Sequence, residues 1–431
     1  MKPILDFKSE EYTLKNGIRV VMVEHKDATS VGVLLRAQAG SIQEGANDIG
    51  VAHLLEHVML TASKKFPDTR VFTQIIENTG GKYNAITGPL FLDAWAKILP
   101  DKLQEALIFL SQAWQHPLLD KQQVEKEKRV VIEEIARDKN NLRKIARRFG
   151  YEHMYPKHRL SIAPVKGDVK DIEHLDTGVV QKYFNQKIVP QNTTLVVFGR
   201  FNPDNTKNLI EKFFGENTGG NSELKLVHDP EPNPELVVHT EDRAESELIR
   251  LSIFYPIRDE KKIGSQNLAV FTEMLGGGGR KSKLFQAIRE KYQMSYLASS
   301  YYSPMYAGGL LEIYTEISKE NVNRALEIIA CEIRSLSEKK IPELDLEIAK
   351  QRICSQLAFT FEDPVHAAKY YADIYTREIG IKNPKDAWDK TSAISTKNIK
   401  NTAESVFKSR PKIVALGANI SGYVLEVPDA L

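Results

Sequence analysis

Val51-Ala52-His53-Leu54-Leu55-Glu56-His57-Val58-Met59-Leu60 sets two histidines four positions apart in an otherwise apolar run. On a helix, positions i and i+4 lie one above the other, roughly 5–6 Å apart at Cβ, so both imidazoles reach a single ion. Glu56 follows His53 by three positions and shares that face. Two neutral imidazoles bind zinc, and an unligated carboxylate beside them can take a proton from a water on the ion. The intervening apolar side chains point the other way, toward a core. The same residues also suit an amphipathic helix with two surface histidines, and a third ligand separates the two readings.

A chain of 431 residues exceeds what one core usually serves, so two or more domains are expected. Its 59 basic against 57 acidic residues leave a net charge of +2, which gives no reason to propose nucleic acid or an anionic membrane as partner. No apolar run is long enough for a transmembrane helix. The opening residues carry acidic groups and neither an apolar targeting core nor an Arg-rich amphipathic pattern, so a cytoplasmic chain is the expectation. Cys331 and Cys354 are too few for a disulfide framework and lack metal-ligand spacing.

Upstream of the histidine helix, residues 18–24 and 30–36 are rich in β-branched side chains and broken at 25–28, which reads as a hairpin. Asn47 or Asp48 stands where it can cap the helix. Downstream, residues 69–78 read as a helix stopped by Gly80 and Gly81, residues 82–88 as a short strand, and Leu103, Ala106, Leu107 and Leu110 as the core face of another helix. From 121 to 148 the chain is charged, helix-favouring and free of Gly and Pro, the usual mark of a solvated helix. Among its acids, Glu127 and Glu134 stand two turns apart on one face with Val130 and Val131 between them, whereas Glu133 is turned about 100° from Glu134. A carboxylate on the apolar side is the better ligand candidate. Glu134 is therefore the expected third ligand, and Glu127 the carboxylate that orients the site.

The spelling H-x-x-E-H, followed by Glu134 and with Glu127 ahead of it, resembles the inverzincin metallopeptidases of family M16, among them pitrilysin, insulin-degrading enzyme and the mitochondrial processing peptidase. Gly40, Ser41 and Glu44 before the helix, Gly80-Gly81 and Asn84-Ala85-Ile86-Thr87 after it, and His116-Pro117 before the acidic helix fall in the family's order. The resemblance implies that His53, His57 and Glu134 bind one Zn²⁺ per chain, that Glu56 is the general base, and that Glu127 supports catalysis. It implies further that Asn84 and Ala85 lie on an edge strand that pairs with an extended peptide substrate. Met59-Leu60-Thr61-Ala62 departs from the family's usual Phe-Lys-Gly-Thr-like turn, which bears on the pocket wall and not on the metal.

Residues 151–192 read as loops and short helices with His153, His158 and His174 on the surface, and residues 192–199 as a buried strand. Beyond a Pro- and Gly-bearing linker at 216–235 the pattern starts again. Residues 248–254 take the place of 30–36, Thr272-Glu273-Met274-Leu275 that of His57-Val58-Met59-Leu60, and 412–417 that of 195–199, all offset by about 215 to 220 positions. Leu268 and Thr272 stand where the histidines stood, so the second half carries no metal. The fold expected is α+β: two homologous units, each a mostly antiparallel sheet with helices packed on one face. Residues 1–215 form the zinc-binding catalytic unit, and 236–431 a metal-free unit that contacts substrate.

Gly276-Gly277-Gly278-Gly279-Arg280-Lys281-Ser282 lacks the ending of a phosphate-binding loop and reads as a turn with close backbone approach. Arg289 and Tyr296 are similar in spacing to the family's substrate-contacting, catalytic Arg and Tyr; read alone, they are an exposed Arg at a helix end and a strand Tyr. The activity implied is zinc-dependent endoproteolysis of extended peptides or unfolded segments. The alternative is a non-catalytic structural or assembly subunit, which in this family has usually lost its ligands. Larger members enclose a chamber with four such units, so two chains are expected to pair, as a homodimer or with a related chain.

Overall fold

The β-branched runs become strands, but not the expected hairpin. The computed structural model describes residues 5–156, 158–159, 165–216, 230–306, 308–377 and 380–431. Ser9–Thr13 (β1), Arg19–Glu24 (β2), Val31–Ala37 (β3), Lys82–Thr87 (β4), Leu92–Ile98 (β5) and Thr193–Gly199 (β6) form a sheet of order β1-β2-β6-β3-β5-β4. β6 lies between β2 and β3, parallel to the first and antiparallel to the second. Every residue of β6 is buried, so it takes a central position where both its edges are paired. The turn after β2 therefore crosses the end of β6. His25 N donates to Gly199 O at 2.8 Å, and Gly199, at φ +131°, has no room for a Cβ, which would stand 2.3 Å from Ser30 O.

Two compact units result. The first comprises Met1–Arg137, Ala163–Val227 and Ala358–Thr376; the second comprises Asp138–Ile162, His228–Leu357 and Arg377–Leu431. This partition differs from a simple cut between 1–215 and 236–431, because each half of the chain supplies one helix to the other half's unit. Residues 217–229, the greater part of the linker read at 216–235, lie outside the described residues.

In the first unit, strand alternation sorts β3 between two faces. Val31, Val33, Leu35 and Ala37 join the apolar cluster made by Val51–Met59 (α1), Thr69–Glu77 (α2), Leu103–Gln115 (α3) and Lys121–Asp138 (α4). Gly32, Leu34 and Arg36 turn to the opposite face, where the Pro364–Thr376 helix lies: a Cβ on Gly32 would stand 2.6 Å from the Pro364 backbone. Arg36 is buried and donates to Asp93 at 2.7 Å and, on the incoming helix, to Asp373. All of β3 is consequently buried.

The single helix read over 121–148 is two. α4 ends at Asp138, and Asn141, whose side chain accepts from Lys144 N at 3.2 Å, caps a new helix, Leu142–Met154 (α5). α5 belongs to the second unit. There Val237–Asp242 (β7), Ile249–Ile257 (β8), Ala298–Pro304 (β9), Gly309–Ile317 (β10) and Lys412–Gly417 (β11) are ordered β7-β11-β8-β10-β9, the topology of β2-β6-β3-β5-β4 repeated, with its one parallel pair in the same place. Ile249, Leu251, Ile253 and Tyr255 face the helices Ser265–Gly276, Val322–Glu338 and Thr396–Phe407, whereas Phe254, Val414 and Leu416 face Ile145, Ala146 and Phe149 of α5. His153, expected on the surface, is half-buried with its ring nitrogen 3.2 Å from His239. No helix among the described residues is long and apolar enough to cross a membrane.

Candidate metal centre

Glu44, rather than Asn47 or Asp48, caps the histidine helix. Gly50 N donates to its Oε2 and Ala52 N to its Oε1, both at 3.0 Å, with the carboxylate buried at the positive end of α1. The entry also needs Gly50, which has φ +84° and where a Cβ would meet Lys166 O at 2.6 Å.

From this fixed start α1 presents His53 and His57 with ring centroids 4.7 Å apart, and α4 presents Glu134 opposite them. His53 Nε2 lies 3.3 Å from Glu134 Oε2, and His57 Nε2 lies 3.8 Å from Glu134 Oε1. Two donors about 2.1 Å from one ion at tetrahedral angles stand about 3.4 Å apart, so these separations and the N, N, O donor set fit zinc. Each of the three residues offers a ligand atom within 4.8 Å of the other two, and among the described residues this is the one such group of His, Cys, Asp or Glu. Glu133, the neighbouring acid on α4, is exposed. The remaining imidazole nitrogens are also engaged: His53 Nδ1 is 3.2 Å from Glu56 Oε2, and His57 Nδ1 is 3.3 Å from the buried Glu127 Oε2.

These contacts set the protonation states. Burial pulls Glu56 up, yet the hydrogen bond and charge of His53, with Thr87 and His57, hold it below the usual carboxylate range. Burial likewise opposes ionisation of Glu134, but the Lys166 hydrogen bond and charge, with His57 and His53, hold it down to about 2. Burial lowers His57, and the bond to Glu127 with the charges of Glu56 and Glu134 outweighs it and raises the imidazole. At neutral pH one carboxylate is thus available as a ligand and another as a proton acceptor.

The other site residues read from sequence fall in two places. Asn84, exposed, and Ala85, buried, lie on β4, the sheet's edge strand, whose Thr87 Oγ1 donates to Ala52 O of α1 at 3.5 Å. Arg289 and Tyr296 come together in the second unit: the guanidinium sits 5.2 Å from the Tyr296 ring, which is 88% exposed. Glu44, Thr87 and Lys166 received no role from sequence; the glycines near two of them, Gly50 and Gly167, both at positive φ, are the local signal of the turns there.

Residues 19–166 match the family Insulinase (Peptidase family M16), and residues 174–353 match Peptidase M16 inactive domain. A protein of Rickettsia bellii called an uncharacterized zinc protease is 25% identical over 418 residues, 95% of this chain and 98% of its own length. One so called from Bacillus subtilis is 25% identical over 353 residues, 82% of this chain and 84% of its own. In fold, a protease from Helicobacter pylori is similar with a TM-score of 0.88 at 20% identity, over 95% of this chain and 99% of that one. A peptidase M16 inactive domain from Pseudomonas fluorescens is similar with a TM-score of 0.86 at 18% identity, over 98% and 100%. Matched along both of its halves and alike in fold, the chain belongs to peptidase family M16.

Proposed function

We propose that the chain is a zinc endopeptidase acting on extended peptides. The observation that carries this reading is the convergence of His53, His57 and Glu134, drawn from two helices of one unit to within 4.8 Å, with Glu56 bonded to His53 beside them. Those three residues would hold the ion and leave a fourth position open. Zinc held there supplies Lewis acidity, which polarises a carbonyl and acidifies water. Glu56, ionised and braced by His53 and Thr87, accepts a proton from the attacking water and delivers it to the leaving amine. Glu127 engages Nδ1 of His57 and so turns Nε2 toward Glu134. The open edge of β4 offers main-chain donors and acceptors to an extended substrate, and Arg289 and Tyr296 offer a guanidinium and a hydroxyl suited to a substrate carbonyl.

The test is zinc content measured together with cleavage of an unstructured peptide library, with and without chelator. Glu56→Gln should retain the metal and lose about 10²–10⁴-fold in turnover. Unchanged turnover in that variant would overturn Glu56 as the base, and wild-type protein with almost no zinc would return the chain to the reading of a non-catalytic structural subunit. By resemblance to larger members, two chains are expected to pair and enclose the substrate. Light scattering of active protein should then give twice the 48.7 kDa of one chain, and an active species of 48.7 kDa would refute pairing.

A further inference from the structure

Lys166 pairs with Glu134 but takes no part in the proposed chemistry. Its ammonium lies 2.5 Å from Glu134 Oε2, the oxygen that His53 Nε2 faces at 3.3 Å. The placement is built into the backbone. Lys166 O packs where a Cβ on Gly50 would be, 2.6 Å away, and the next residue, Gly167, has φ +71° and would meet Ile49 Cγ2 at 3.2 Å with any side chain. The loop is thereby seated on the first turn of α1, the helix that carries both imidazoles. The Lys166 and Glu134 side chains are each about a quarter exposed, so water screens their interaction only in part.

We infer that Lys166 is a resident cation that competes with the metal for Glu134, so that zinc is held less tightly, and exchanges more readily, than His53, His57 and Glu134 alone would hold it. The inference rests on the metal reading above and adds a regulation of that same site. Its physical basis is that a divalent ion approaching the carboxylate meets a like charge already hydrogen-bonded to one of the two oxygens. The ammonium must share that oxygen or swing away and lose its ion pair. The opposite role is equally definite: a lysine that merely orients its ligand would, on removal, weaken metal binding by about 10–100-fold. The two roles differ in sign.

The experiment is competition with a chromophoric chelator for zinc, using the full chain as wild type, Lys166→Met and Lys166→Arg. Lys166→Met should bind zinc about tenfold tighter and release it more slowly, and Lys166→Arg, which keeps the charge, should stay within about threefold of wild type. Stripped of metal, Lys166→Met should melt below stripped wild type, because Glu134 then loses its charge partner. Unchanged or weaker zinc binding in Lys166→Met overturns the inference while leaving the metal reading intact. Wild-type protein that binds no zinc overturns both.

Discussion

Each imidazole of the pair is held from two sides, His53 by Glu56 and Glu134, His57 by Glu127 and, more loosely, Glu134. Ring rotation is therefore settled by neighbouring carboxylates, and an arriving ion has less ordering to do. On this account Glu134→Ala should strip the protein of zinc in metal analysis after gel filtration. Glu133→Ala, on the exposed side of α4, should keep the metal and change stability by less than about 0.5 kcal/mol. Metal loss in the second variant alone would move the ligand by one residue. These positions were legible in the sequence because helical spacing is local: three, four and seven positions fix a face whatever surrounds it. Glu44 and Lys166 were not, because both reach α1 from loops whose paths depend on distant packing. A nearest-Asx rule for helix caps pointed to Asn47 and Asp48 instead.

Strands were easier to locate than to pair. The apolar runs at β2, β3 and β6 were evident, yet adjacency in sequence suggested a hairpin where the fully buried β6 intervenes. The helices α5 and Pro364–Thr376 show the same limit: amphipathic spacing reveals that a helix has an apolar face, not which sheet will cover it. β11 carries a further consequence. Lys412 is fully buried, its ammonium donating to Asn233 O at 2.8 Å and to Glu235 O, and burial pushes its pKa down to about 8 against the pull of Glu235. The unfolded chain keeps that proton to about pH 10.4. Between the two values the unfolded state binds more protons, so stability should rise with pH from about 8 toward 10, the burial penalty being felt in full below that window. Denaturant unfolding of wild type should accordingly gain on Lys412→Met between pH 8 and pH 10. Parallel curves for the two proteins would show that the ammonium is not penalised.

The two units repeat one topology, and the repeat was readable from strands and a helix recurring at a fixed offset, with Leu268 and Thr272 of the second copy at the places of His53 and His57. What no periodicity could show is the wiring. Because α5 is encoded before the linker yet belongs with the second sheet, and Pro364–Thr376 is encoded after it yet belongs with the first, the chain is laced twice between its halves. Dividing the gene at the linker would then yield two polypeptides that each leave a sheet face bare, at Gly32, Leu34 and Arg36 in one and at Phe254, Val414 and Leu416 in the other. Expressed separately, both fragments should be insoluble; expressed together, they should rescue one another by trading helices. A chain laced in this way cannot be trimmed back to a single repeat.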